Sequence, residues 1–407
     1  MSIKHLYEDE RPSLLLDFAN SKTLDPRITF SRNSTATYVD ELGIIKTAAD
    51  NEARIDHDPA TGECLGLLIE ESRTNSFQNS VFTQTSDWLT SNPTTHGTVT
   101  ANNATAPDGT STAAALVAGG QTDRVISMGL TTTNDQTVFS FFVKKGTGDN
   151  LQFGSLAWTT QGAINYTFST DTFGTNYNLA DYGKEDYGNG WIRIWIRFGA
   201  AGSGTVYVRW GDASPSGTTG WFWGVQQELG TFPTSYIPTS GSTITRNADE
   251  AEITGTNFSS WYNQSEGTIC AKFRSQWPDG EDTTILQQQS GGDIRIFAYT
   301  SYNRVQFLYG SSYTYSNNHS SGYPAASDFS SAAIFYTDDG TTSSVGGSFQ
   351  GFPVVSTTGT GGVNVTGLKF APFPGASGGL QASTAHLSRI SYYNTRLSNT
   401  TLEALTK

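Results

Sequence analysis

The stretch GWIRIWIRF, residues 190–198, decides how this chain folds. From Trp191 onward, alternation sends Ile192, Ile194, Ile196 and Phe198 to one side of an extended strand, and Trp191, Arg193, Trp195 and Arg197 to the other. Successive residues of a strand point to opposite faces, so the first set reads as a sheet interior. The second set places two indoles and two guanidiniums in one row. Such a face needs either a cover or a ligand.

Outward from this point the same pattern recurs. Strand-like pieces on either side are TVFSFFVKK (137–145), INYTFS (164–169), TVYVRW (205–210) and WFWGVQ (221–226). A second series follows: GTICAKF (267–273), IRIFAYT (294–300), RVQFLYG (304–310), AAIFYTDDG (332–340) and GVNVTGLKFA (362–371). Short strands broken by turn residues at this spacing predict an all-β protein built from β-sandwiches. Composition agrees, with 43 Gly, aromatics at 12% and few segments with helical spacing. A short terminal helix is expected after Ser398 as N-cap, with Leu402 and Leu405 on one face. No period of 20 to 50 residues repeats, which argues against propellers and solenoids.

The chain of 407 residues is too long for one ordinary core. Three zones are expected. Residues 1–78 hold clustered charge and the short pieces SLLLDF, ITFSR, ATYVD and GLLIEE, too few apolar positions to fold alone. Residues 79–247 form one sandwich, ending in the Pro/Ser/Thr-rich linker GTFPTSYIPTSGSTITRNAD, and residues 251–407 form another.

A net charge of −13 argues against nucleic acid as a partner, because phosphate binding needs clustered Lys and Arg. No apolar run of membrane-spanning length and no signal-peptide apolar core is present, so synthesis in a cytosol without membrane insertion is expected. Cys64 and Cys270 lie far apart and are expected to be reduced and partly buried.

The block FSRNSTATYVDELGIIKTAADNEARIDHDPATGECLGLLIEESRTN, residues 30–75, resembles a segment of bacteriophage and prophage virion proteins. The positions that match are Ser31, Arg32, Ser34, Thr35, Thr37 to Asp40, Gly66 to Glu70 and Arg73 to Asn75. The next zone resembles the jelly-roll carbohydrate-binding modules that accompany that segment, through TAPDGT, FFVKKG, GWIRIWIRF and WGVQQELGTFPTSYIPTSGSTITRNAD. Gln227 departs from that pattern, where the family carries an apolar residue. The last zone is similar to concanavalin A-like (laminin-G-type) lectin sandwiches, through SEGTICAKF, AAIFYTDDG and ISYYNTRLSNTTLEAL. The resemblance implies a tail-fibre or head-fibre protein on the virion surface, attached to other virion proteins through residues 1–78. It also implies a homotrimer and a host-surface glycan as ligand.

Under that expectation the candidate glycan site is Trp195, Trp221, Arg193, Arg197, Tyr207 and Arg209. Indole faces stack on sugar C–H bonds, and the Arg fork fits vicinal hydroxyls. Trp191 and Trp223 read more simply as plugs at the end of a sandwich, and Trp210 as core beside Val206 and Val208. A face of this kind can equally be covered by neighbouring protein, which would make the protein purely structural.

No catalytic residues are assigned. The five histidines, His5, His57, His96, His319 and His386, are scattered, and His386 reads as structural. The paired carboxylates of a glycoside hydrolase have no matching string, so a polysaccharide depolymerase is the disfavoured third reading. No cofactor is expected. Carboxylates in YTDDG (336–340) and DHDPATGE (56–63) are spaced like a structural calcium loop but lack its full pattern, and turn carboxylates commonly bind local backbone.

Overall fold

The computed structural model describes residues 11–81, 98–118, 126–132, 137–155, 162–199, 202–210, 217–275, 283–288, 294–299, 304–316, 329–370 and 384–407. His5, His96 and His319 lie outside these. The architecture is all-β: among the described residues, four large antiparallel sheets pair into two sandwiches, joined by two two-stranded sheets.

The first sandwich faces a six-stranded sheet against a five-stranded one. The six-stranded order is Leu179–Asp186, Trp191–Phe198, Thr137–Lys145, Thr219–Leu229, Ala113–Val117, Thr98–Ala104. The five-stranded order is Ile126–Thr132, Gly202–Trp210, Asn150–Ser155, Ala163–Thr167, Thr172–Phe173. Ile194, Ile196, Phe198, Phe139 and Phe141 from one sheet meet Leu151, Phe153, Ile164, Val206, Val208 and Trp210 from the other. The expected interior side of the Trp191 strand is therefore the core side.

The second sandwich pairs sheets of eight and seven strands. Here the expected boundary at residue 78 needs correction. Leu14–Asp17 and Cys64–Ile69 both pair with Ala385–Tyr393 near the far end of the chain, Arg54–His57 pairs with Cys64–Ile69, and Thr29–Ser31 extends the other sheet through Glu250–Thr254. Leu14, Leu16, Phe18, Leu67 and Ile69 sit in the same core as Ile269, Phe307, Tyr336 and Ile390. Residues 14–69 are thus strands of the C-terminal sandwich. The segment lacks an independent core because its apolar side chains belong to one built mainly from residues 251–392.

Two pieces of the segment do something else. The hairpin Ala36–Val39/Ile45–Ala48 leaves the sandwich, and Arg73–Asn75 pairs with Ile244–Arg246 of the linker. The linker is therefore held at residues 244–246. Cys64 and Cys270 form no disulfide and are half-buried. The terminal helix Asn399–Leu405 is capped by Ser398, whose hydroxyl accepts from the Thr401 amide at 3.1 Å, and it buries Leu402. Among the described residues, no helix is long and apolar enough to cross a membrane.

Gly66 is where the inserted strands come closest to their partner. Its φ is +99°, and a Cβ there would lie 2.2 Å from the Leu387 carbonyl oxygen. Only glycine tolerates both conditions. Gly66→Ala is expected to cost well over about 1 kcal/mol, read as a lowered urea midpoint with unchanged slope.

Candidate functional site

The Trp191 and Arg193 end of the Trp/Arg face is covered by the chain itself. Trp191, Trp223, Phe142 and Tyr187 pack with Val39 and Ile45 of the 36–48 hairpin and with Tyr236 of the linker. Arg193 is 2% exposed. Its guanidinium donates to the Thr234 carbonyl at 2.7 Å and the Ser140 hydroxyl at 3.0 Å, and lies over the Phe142 ring.

A bulge helps build this cover. Between Trp223 and Gln226 the Thr219–Leu229 strand carries an extra residue opposite Ser140–Phe142, and Gly224 supplies the positive φ of +63°. Trp221, Trp223, Gln226 and Glu228 consequently share the outer face, while Phe222 and Val225 enter the core. Gln226 accepts from the Ile237 amide at 2.6 Å, and Glu228 accepts from the Thr234 amide at 2.6 Å and its hydroxyl at 2.7 Å. Arg193, Gln226 and Glu228 thus hold residues 234–237 as a backbone ladder would. Gln227, the departure from the family pattern, has its backbone tied to Asn75 and Ser76.

The six residues expected to line one groove are dispersed. Tyr207 and Arg209 lie on Gly202–Trp210, in the opposite sheet, where Arg209 stands 5.6 Å over the Tyr207 ring. Their alternation with Val206 and Val208 turns them to the far side of the sandwich. Arg193 is a buried strut. Trp221 is half-buried and donates to Asn103 at 3.1 Å. Trp195 and Arg197 stay half-buried on the outer face, and Gly183 across the strand pair leaves room for the Trp195 ring. Alternation gives the side of a strand, whereas the partner strand depends on long-range pairing.

On its other side the 234–237 segment meets a buried charge network. Ser235 donates its amide and hydroxyl to Glu70 at 2.8 and 2.6 Å. Glu70 also accepts from Arg54 at 2.7 Å and Arg246 at 2.5 Å, and Asp249 binds Arg54 and, at 2.9 Å, Arg32. Thr37 closes the seam by donating to the Tyr236 carbonyl at 2.5 Å. Burial alone would raise the Glu70 carboxyl, but the charges of Arg246 and Arg54 and the Ser235 hydrogen bonds outweigh it and hold the group well below the carboxylate range. Arg32, Thr37, Glu70 and Asn75, all from the 30–75 block, are thus parts of a staple joining the two sandwiches.

Beside this staple opens a cleft of about 290 Å³, bounded by the hairpin, the Glu185–Tyr187 turn and the start of the Ala385–Tyr393 strand. Asp56 organises its floor: one carboxylate oxygen accepts from the Val39 amide at 2.7 Å, and the other lies 2.7 Å from His386 Nε2. His57 Nδ1 lies 3.1 Å from the Val39 carbonyl. Tyr187 lines the wall, its hydroxyl pKa raised chiefly by burial. The sequence reading missed this site, because strand alternation would send Asp56 and His57 to different sides, and only the register shift between them brings both to Val39.

The two suspected calcium loops use their carboxylates locally. Asp58 accepts from the Ala60 and Thr61 amides, Asp339 from Thr341 and Thr342, and Asp338 from Gly340, Gly362 and Val363. Among the described residues, no three His, Cys, Asp or Glu gather where an ion could be held.

No family model matches this chain, and no curated protein matches it. Solved structures are similar in part. The binding domain of botulinum neurotoxin DC, determined with rat synaptotagmin II, aligns over 39% of this chain and 40% of its own at 12% identity and a TM-score of 0.28. Trypanosoma rangeli sialidase in complex with sialic acid aligns over 66% of this chain and 52% of its own, at 11% identity and 0.27. Domains LG4-5 of the mouse laminin alpha1 chain align over 67% of this chain and 85% of their own, at 8% identity and 0.23. The chain spans about two fifths of the length of the toxin chains it matches.

Proposed function

We propose that this is a structural protein of a bacteriophage virion, displayed on the particle surface as a homotrimer, which binds host-surface glycans without altering them. The observation that carries the reading is the staple. The block that resembles phage virion segments supplies Arg32, Thr37, Arg54, Glu70 and Asn75, and these lock two β-sandwiches to the linker between them. A head clamped in this way presents its surfaces in fixed geometry, so that weak sugar contacts on many copies add up. The 30–75 block therefore works inside the head, and attachment to other virion proteins falls to surfaces outside this seam.

The test is immunogold labelling of purified phage particles, together with a glycan array probed with the intact protein. Labelled particles and array binding, with no new reducing ends after incubation with host envelope polysaccharide, are the expected results. New reducing ends would establish a depolymerase instead. One observation favours a purely structural role: much of the Trp/Arg face is already covered by the chain's own hairpin and linker. On that account Trp195→Ala combined with Trp221→Ala is expected to leave host adsorption within about twofold of wild type, whereas a larger loss would support sugar contacts on this face.

A further inference from the structure

We propose that the uncovered end of the Trp/Arg face is the carbohydrate-combining site, where Trp195, Arg197 and Asp181 take one neutral pyranose residue. The indole meets ring C–H bonds, and the Arg–Asp pair holds two adjacent hydroxyls. This rests on the glycan-binding reading above and adds the place and the ligand class.

Strand pairing builds the patch. Leu179–Asp186 is the edge strand of the six-stranded sheet and runs antiparallel to Trp191–Phe198. In that register Asp181 stands opposite Arg197 and Gly183 opposite Trp195, so these positions form a square on the outer face. Directly opposed residues have Cβ atoms about 5 Å apart, and residues two apart on one strand share a face. Gly183 makes a shelf for the ring. A Cβ there would lie 2.7 Å from Cζ2 and 2.8 Å from Cε2 and Nε1 of Trp195, so the indole occupies the space a side chain would need. Among the described residues no strand pairs beyond Leu179–Asp186, and the patch opens sideways.

Trp195 and Arg197 both keep their polar ends open. Trp191, Trp221 and Trp223 donate their indole N–H groups to Thr105, Asn103 and Thr112, and Trp210 is sealed in the core. Trp195 is half-buried and has no acceptor for its own N–H among the described residues, while its nitrogen is not closed off. Arg193 commits its terminal nitrogens to Thr234 and Ser140. Two residues on, Arg197 is half-buried with only Nε closed off, and its terminal nitrogens have no hydrogen bond or ion pair among the described residues. Asp181 accepts from the Tyr182 amide at 2.8 Å, and a carboxylate has lone pairs for further donors.

A donor and an acceptor side by side define the ligand. The guanidinium only donates and the carboxylate only accepts, whereas a hydroxyl does both. Two adjacent hydroxyls of one ring therefore accept from Arg197 and donate to Asp181. The indole supplies the stacking surface, and its N–H a further donor. An amino sugar meets the charge of Arg197. A uronate meets Asp181, with Glu185 and Glu228 on the same face of the sheet, and gains no net attraction.

The experiment is titration of the intact protein with the methyl glycosides of glucose, galactose and mannose, with glucuronate as the acidic comparison. Two-dimensional NMR of the indole N–H signals is the readout, the Trp195 signal being identified by its loss in Trp195→Phe. At least one neutral glycoside is expected to shift that signal and to bind more tightly than glucuronate. The signals of Trp191 and Trp223, already hydrogen-bonded, should stay in place. Arg197→Gln removes the charged fork and Gly183→Ala displaces the ring, and each should weaken binding about tenfold. If one variant fails to fold, the other decides. A Trp195 signal that no neutral glycoside moves, binding that survives both variants, or tighter binding of glucuronate overturns the assignment. If host envelope polysaccharide still binds in that case, the glycan-binding function stands without this site. If it does not bind, both fail.

Discussion

Glu70→Ala is expected to lower folding stability by about 3–5 kcal/mol, the cost of leaving buried charges without their partner. Arg54 and Arg246 both meet Glu70 with their side chains essentially inaccessible to solvent, and the remaining carboxylate in reach of Arg54, Asp249, is shared with Arg32. Removing Glu70 leaves three guanidiniums around one carboxylate. Neither water nor salt reaches the pair to compensate, unlike an exposed ion pair worth little. Urea denaturation at neutral pH measures the loss, and a change below about 1 kcal/mol would show the network to be dispensable.

The same residue sets an acid dependence whose sign follows from its environment. The folded-state pKa of Glu70 lies below its ordinary value of 4.5. Its contribution is therefore complete above that value and is lost as pH falls through the folded one. Stability should decline on acidification with a slope that Glu70→Gln reduces. The 234–237 seam should weaken first, because protonation removes the charge that Arg54 and Arg246 pair with and leaves Ser235 a poorer acceptor in Glu70.

A chain beginning at residue 79 is expected to lose the second sandwich altogether while keeping the first. Leu14, Leu16, Phe18, Ile28, Leu67 and Ile69 are all buried in the C-terminal core. At about 1.5–3 kcal/mol for each buried side chain, their removal costs roughly 10 kcal/mol or more, comparable to the whole stability of a domain. The truncation also strips Ala385–Tyr393 of its pairing with Leu14–Asp17 and Cys64–Ile69, exposing a long apolar edge of the kind that aggregates. The first sandwich draws its buried core from residues 99–225 and should remain folded, with Phe142, Trp191 and Trp223 uncovered where Val39 and Ile45 had packed. Two-dimensional NMR of the 79–407 fragment, with dye binding to report exposed apolar surface, would separate the outcomes. A second sandwich that melts cooperatively at its full-chain temperature would refute the interwoven arrangement.

The amino-acid sequence by itself determined the local chemistry. Alternation in WIRIWIRF and TVYVRW assigned Ile194, Ile196, Phe198, Val206, Val208 and Trp210 to the core, since strand geometry puts every second residue on one face whatever lies beyond. The Ser398 cap and buried Leu402 were legible for the same reason: they depend on neighbours within one helical turn. Tertiary structure alone decided which strands meet. It put Tyr207 and Arg209 on a different sheet from Trp195, buried Arg193 beneath the linker, joined Leu14–Asp17 to Ala385–Tyr393, and brought Asp56 and His386 within 2.7 Å across 330 residues. The physical reason is that pairing between distant strands is selected by the total burial and hydrogen bonding of the finished sheets, a quantity no short window of residues contains. The bulge at Gly224 belongs to both levels: the glycine is visible in the sequence, but only the partner strand determines that it must shift Gln226 and Glu228 onto the face they now hold.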